Sequence, residues 1–399
     1  MIEIKIGKKQ LIDCLLRLRK SFGVKNALPI LNDYKFELDG NKLSVVVSDY
    51  ETVTKESFYL SDEAIRFEND NRKAWCINRW NIVPGLRTLD EQEITMQVMD
   101  YQARIVHGLG SFSMHIDDAG EFPEPAWSLG DVAVTHLNLE APGLRHWLDI
   151  LRPALAQDEL RPVMNGILFD CKEDSLSLCA SDGHKLVRIR KSNIGGYKQE
   201  FIMPRKPIYI LDNILPKTGM VDFSFTQERL KPNGCSIPIG HIEIEFEKDV
   251  NHKLEIIFIG IDGRYPNYNS VIPTTYANNI SVDRRQFINS LERAKYFSNK
   301  NNLMAKLHIG NGSIGISTED KDFELQCDES IPCEIHESIG LPMTIGVKTT
   351  GMINLLKRIT TRSILMKFQD SSRAIIVEPE PQPDVEDITL LLMPMYCDE

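Results

Sequence analysis

Apolar and polar residues alternate at period two along most of the chain, the pattern of strands that bury one face. Six segments break that rhythm with apolar residues three or four apart and predict helices: KKQLIDCLLRLRKSF, NRWNIVPGLRTL, APGLRHWLDILRPALA, PRKPIYILDNIL, DRRQFINSLERAKYFS and KTTGMINLLKRI. One phrase recurs around them: a strand, a polar turn, a second strand, then a small residue followed by an acid. It reads KFELDGNKLSVVVSDYE, with Phe36, Leu43 and Asp49 as landmarks, then ILFDCKEDSLSLCASDGHK, with Phe169, Leu176 and Asp182. Its third statement is AKLHIGNGSIGISTEDKDF, with Leu307, Ile314 and Asp320. The acids fall 133 and 138 residues apart, and Arg79, Arg205 and Lys348, at equivalent points of the second helices, fall 126 and 143 apart. Each third therefore reads as two strand-rich units carrying one helix each, an α+β domain stated three times, with neighbours completing one another's sheets. The Pro- and Gly-bearing stretches 121–131 and 262–275 read as linkers and set expected domains of 1–128, 129–266 and 267–399.

Composition narrows the class. With 399 residues, 42% hydrophobic and 26% charged, the chain is ordinary globular material rather than a disordered one. No run approaches the ~20 apolar residues of a membrane span, and MIEIKIGKKQ lacks the apolar core of a secretory signal. The eight cysteines contain no CxxC pair and suit reduced thiols in a cytosolic protein. The net charge of −11 argues mildly against a nucleic-acid partner until its distribution is considered. The six helical windows (8–22, 78–90, 140–156, 204–216, 283–298 and 348–362) hold 19 Lys and Arg against 7 acids, a net of +12, and the rest of the chain carries −23. One basic helix is usually only a solvated face. Six at repeat-equivalent positions in acidic surroundings fit a shared surface for a polyanion, of which duplex DNA is the obvious one.

Signs of catalysis are sparse. GxxxxGK[ST], HExxH and GxSxG are absent, and GLGS at 108–111 lies among strands as a turn. Ser181, Asp182 and His184 are catalytic residue types, but neighbours at a strand end cannot relay protons as a triad does, so His184 reads as a turn histidine. Asp117 and Asp118 are consecutive and point to opposite faces of an extended chain. Aromatic residues do not interleave with the basic ones as in single-strand binders, which leaves a basic surface without base readout.

Several segments carry a resemblance. LPIL (28–31), RPVMNGILFD (161–170), SDGHKL (181–186), IDGRYPNY (261–268), FSNK (297–300) and LLMPM (391–395) are similar, in order and over essentially the whole chain, to hallmarks of the bacterial sliding clamps, the β subunit of DNA polymerase III. The resemblance implies three repeated clamp domains closing as a head-to-tail homodimeric ring, with helices lining a DNA-sized hole. It implies a cytoplasmic, non-catalytic processivity factor with no cofactor and no metal. Its partners would be encircled double-stranded DNA, the replicative polymerase, a clamp-loader ATPase and other proteins with clamp-binding motifs. By resemblance, Lys25, Arg79, Arg161, Arg205 and Lys206 face DNA. A partner-peptide groove comprises Met164, Ser181, Gly183, His184, Lys185, Leu186, Pro266, Val271, Leu291, Leu391, Met393, Pro394 and Met395. Phe112 and Met114 on one chain and Phe287 on the other are dimer-interface candidates.

The sequence also departs from the family. It ends in Tyr396, Cys397, Asp398 and Glu399, where members commonly stop soon after MPM, often at a basic residue. Pro162 and Val163 replace aromatics found in some members. The stretches 231–241 and 378–387 look like lengthened loops, the second a solvated acidic hairpin loop near the groove. Two other readings stay open at this point: a clamp-like adaptor that does not support replication, and an enzyme using Asp182 and His184.

Overall fold

The computed structural model describes residues 1–24, 26, 28–67, 73–124, 134–194, 198–226, 237–246 and 252–397. The first third runs β1 (Ile2–Gly7), α1 (Lys8–Leu18), β2 (Asp33–Asp39), β3 (Lys42–Ser48), β4 (Thr52–Tyr59), β5 (Ile65–Phe67), β6 (Ala74–Asn78), α2 (Arg79–Arg87), β7 (Glu93–Val98), β8 (Gln102–His107) and β9 (Gly110–Asp117). The second runs β10 (Thr135–Glu140), α3 (Ala141–Leu151), β11 (Gly166–Cys171), β12 (Ser175–Ser181), β13 (Lys185–Ser192), β14 (Gln199–Pro204), α4 (Arg205–Ile214), β15 (Met220–Thr226), β16 (Ile239–Glu245) and β17 (His252–Ile259). The last runs β18 (Asn278–Asp283), α5 (Arg284–Phe297), β19 (Met304–Gly310), β20 (Ser313–Asp320), β21 (Leu325–Ser338), β22 (Met343–Lys348), α6 (Thr349–Leu356), β23 (Ser363–Phe368), β24 (Ile375–Glu380) and β25 (Glu386–Leu392). Among the described residues, all three thirds have one element order apart from the short β5, and every α-helix falls in a window the periodicity marks.

The recurring acid has a local cause. Asp49 and Asp182 follow the second strand of the phrase and Asp320 ends it, and each carboxylate accepts from backbone N–H just ahead of it. Thr52 donates to Asp49 at 2.9 Å, His184 and Lys185 to Asp182 at 2.9 Å, and Asp322 to Asp320 at 3.2 Å. An aspartate in this place closes the turn that sends the chain into the next strand.

The chain forms two compact units, Met1–Arg145 with Pro204–Gly260, and His146–Met203 with Ile261–Glu399. In the first, an eight-stranded sheet runs β10-β15-β16-β17-β4-β3-β2-β6 and continues through β9 into β8-β7-β1-β5. In the second, β14-β11-β12-β13-β25-β24-β23-β18 continues through β21 into β20-β19-β22. Each eight-stranded sheet joins strands of two thirds, by β17 against β4 (Ile256 opposite Thr54) and by β13 against β25 (Leu186 opposite Leu391). Two junction strands keep an open side among the described residues. β9 meets β6 only at Ile116 and Asp117, so Gly110–His115 pair with β8 alone. β21 pairs with β20 over Leu325–Pro332 and reaches β18 only from Cys333 onward.

The helices press apolar stripes onto these sheets. Leu11, Cys14, Leu15 and Leu18 of α1 and Ile82 and Leu86 of α2 are buried with Phe36, Phe58 and Trp75, and Phe36 stacks on Trp75 at 5.7 Å. One charge lies inside this packing. Glu56 on β4 has no exposed surface; Arg17 donates to it at 3.0 Å through Nε, and His252 Nε2 lies 2.7 Å away. Burial pushes its carboxyl up, but the hydrogen bonds from His252 and Arg17 and the guanidinium charge prevail and hold it below the usual carboxylate range. The expected acidic loop 378–387 is shorter than the sequence suggested. Glu378 is on β24 and Glu386 and Asp387 on β25, paired with Lys367, Lys191 and Arg188, because continuing strand pairing takes those residues out of the loop.

Candidate partner groove and nucleic-acid face

The second unit brings SDGHKL against the end of β25. Ser181 Oγ donates to Lys185 O at 3.0 Å and accepts from Gly183 N at 3.2 Å, and Lys185 Nζ lies 2.6 Å from Asp182 Oδ2. Burial raises the Asp182 carboxyl, yet the Lys185 bond and the two backbone donors outweigh it and lower the group. Gly183 has a φ of +88°, and a Cβ there would lie 3.0 Å from Arg161 Nη1. Arg161 is itself held by Asp158 at 2.8 Å. The turn thus presents His184 to solvent, as a turn histidine, while Met393 N donates to His184 O at 2.8 Å.

Beneath the turn, Leu186 and Leu391 are buried with Leu168, Tyr265, Tyr268 and Ile376, and Val163, Ile272 and Tyr276 pack alongside. Tyr268 Oη donates to Asp170 at 2.7 Å; burial and that bond push its phenol up to about 12. Val271 (54% exposed) and Met393 (40%) stand out from this floor, and Pro266 is exposed as well. Met395 N donates to Gly346 O at 2.8 Å, and Pro394 and Met395 line a depression of about 500 Å³ with Thr344, Ser371, Ser372, Tyr396 and Cys397. Met164 is buried, and Leu291 is buried on α5, outside that cluster, where the helix packs on β20 and β21. Phe287 is buried on the same helix, Met114 is buried in the first unit, and half-buried Phe112 packs over Gly85.

The basic positions differ in what holds them. Lys25 lies outside the described residues. Lys206 is a structural tie, donating to Ser21 O and paired with Asp49, and burial lowers its ammonium. The Arg205 guanidinium lies over the Tyr209 ring at 5.7 Å. Arg79 opens α2 between two rings, 4.5 Å from Phe22 and 4.4 Å from Trp80. Arg19 and Arg87, which motif reading passed over, are exposed on the same unit. With Arg79 they lie close enough to Tyr34 to favour its ionised form, although burial dominates and raises that phenol. Their signal in the sequence was only their share of the helical charge. Among the described residues, one His–carboxylate group has metal-ligand spacing, His241, Glu243 and Glu255. Lys253 Nζ already stands 2.7 Å from Glu243 and 3.4 Å from Glu255, where a cation would sit.

A threefold order of strands and helices, basic helical segments and an apolar surface beside the last strand fit the processivity-clamp class. Residues 138–267 match the family description "DNA polymerase III beta subunit, central domain", and residues 269–396 match its C-terminal domain. This chain belongs to the DNA polymerase III beta subunit family. A Vibrio cholerae beta sliding clamp is 22% identical over 383 residues, 94% of this chain and 96% of that protein. A crystal structure of the Pseudomonas aeruginosa clamp superposes with a TM-score of 0.84 at 21% identity, covering 100% of both chains. Another from that organism, bound to griselimycin, gives 0.85 at 20% identity over 99% of this chain and 100% of the other.

Proposed function

We propose that two copies of this chain close head to tail as a ring around duplex DNA and tether a replicative polymerase to it. The chain is a processivity factor and not an enzyme: a tether raises the polymerase's local concentration at the primer end without base-specific contact. The observation that carries this reading is the family match over residues 138–267 and 269–396, and the threefold element order supports it. In this reading the domains are 1–128, 129–266 and 267–399, and the second boundary falls beside the point where the two matches meet. Arg79, Arg161 and Arg205, with Lys25, face the DNA, and Lys206 positions α4. The groove of the second unit takes short hydrophobic peptides from polymerase, clamp-loader ATPase and other partners in turn. No helix among the described residues is long and apolar enough to cross a membrane, and we place the protein in the cytoplasm.

The test loads the full chain onto nicked circular DNA with a clamp loader, washes at moderate salt, then linearises the DNA. Retention on circles, release on linearisation and stimulated polymerase synthesis are expected. Equal retention on both forms would replace encirclement with simple electrostatic binding. Encirclement without stimulation would favour the adaptor reading.

A further inference from the structure

In the first unit, guanidinium groups and aromatic rings share one surface. Arg79 sits between Phe22 and Trp80, with its guanidinium carbon 4.5 and 4.4 Å from the two ring centroids. The inner ring is anchored: Phe22 is 6% exposed and meets Tyr34 edge-on at 4.9 Å. The outer ring is presented, since Trp80 is 60% exposed. Its backbone is fixed as well. Asn78 caps α2 by accepting from Trp80 N at 3.1 Å, and Asn78 Nδ2 donates to buried Asp33 at 2.8 Å. Arg17, Arg161, Arg188 and Arg293 are each paired with a carboxylate. Among the described residues, Arg19, Arg79 and Arg87 have no such partner.

Arginine alone suffices for the phosphates of a duplex, whose bases are stacked out of reach. An exposed indole backed by a guanidinium suits a different ligand. An unpaired base offers a free π-face to Trp80 and leaves its phosphates to the cations, the combination by which single strands are held. We propose that Trp80, backed by Arg79 and Phe22, stacks on an unpaired base of single-stranded nucleic acid while Arg19 and Arg87 hold flanking phosphates. This rests on the reading that the chain's polyanion is nucleic acid, and it adds to the duplex contact of Arg79 a second one with an unpaired strand. It also revises the absence of base contact expected from the sequence.

The test is equilibrium anisotropy of the full dimeric chain with fluorescent oligothymidylate of about 20 nucleotides, and with a duplex of the same length, at low salt. Trp80→Ala should weaken single-strand binding about fivefold or more and leave duplex binding within about twofold, whereas Trp80→Phe keeps most of the affinity. Arg79→Ala should weaken both, and a thermal melt checks that each variant is folded. Unchanged single-strand binding by Trp80→Ala, or equal loss on both ligands, overturns the stack. Wild-type binding to duplex alone overturns this proposal but spares the nucleic-acid reading. Wild-type binding to neither ligand overturns the proposal and also counts against that reading.

Discussion

Asp33 is 1% exposed, faces Asp117 across the place where β9 joins β6, and is raised to about 7. Burial is the largest cause, followed by the hydrogen bond and charge of Asp117, against a smaller pull from Asn78 in the other direction. Protonating Asp33 relieves both the cost of its burial and the repulsion from Asp117. A carboxyl raised in the folded state binds that proton more tightly than the unfolded chain does, so stability falls as pH climbs from about 3.9 towards 7, then levels off. Asp33→Asn keeps the acceptor for Asn78 and supplies a permanent donor to Asp117. It should stabilise the first unit at pH 8 by about 1–2 kcal/mol and flatten the fall between pH 5 and 8 in urea titrations. An equal shift at both pH values would rule out a protonated Asp33. Residue motifs could not reveal this pair, because the strand order brings the two acids together and the chain does not. Trp80 was missed for another reason: an aromatic beside an arginine at the head of a helix reads as ordinary amphipathic patterning.

At the scale of elements, the proposed groove is a turn and a strand end. The motifs SDGHKL and LLMPM were legible as phrases, but their meeting depends on β13 pairing with β25, a register that hydrophobic alternation leaves undetermined. Leu291, placed in the groove by resemblance, is buried on α5, the helix that packs on β20 and β21. Met393 and Met395 lie where the chain leaves β25, tied by backbone hydrogen bonds to His184 and Gly346, so their side chains can be cut back without loosening the strand. A flexible thioether adapts to varied partner side chains. Met393→Ala with Met395→Ala should lower affinity for a clamp-binding peptide about tenfold, about 1.4 kcal/mol, with solution mass unchanged. Wild-type peptide binding by the folded double variant would move the groove elsewhere.

For the whole molecule, the threefold repeat and its six helices were legible because strand and helix periods differ and the phrase recurs with its landmarks in order. What periodicity could not supply is the pairing of strands from different thirds. The open sides of β9 and β21 belong to the same scale, because unpaired strand edges seek partners. On the exposed face of β9 stand Ser111, Ser113 and His115, beside Arg104 on β8; on that of β21 stand Gln326, Asp328 and Ser330. If β9 of one copy pairs with β21 of the next, Ser113→Glu sets like charges side by side. Two such junctions per ring should raise the dimer dissociation constant about three- to tenfold, and adding Asp328→Lys should restore it, as measured by sedimentation equilibrium. No change, or no rescue, would place the interface on other edges.

The join of β4 to β17 has a further consequence, for synthesis. β4 ends at Tyr59, but its neighbour in the eight-stranded sheet arrives only with His252–Ile259. A ribosome must therefore translate about two-thirds of the message before the first unit can close. Until then the nascent chain carries an unfinished sheet with a bare edge, and during that interval it is most exposed to aggregation and most in need of a chaperone.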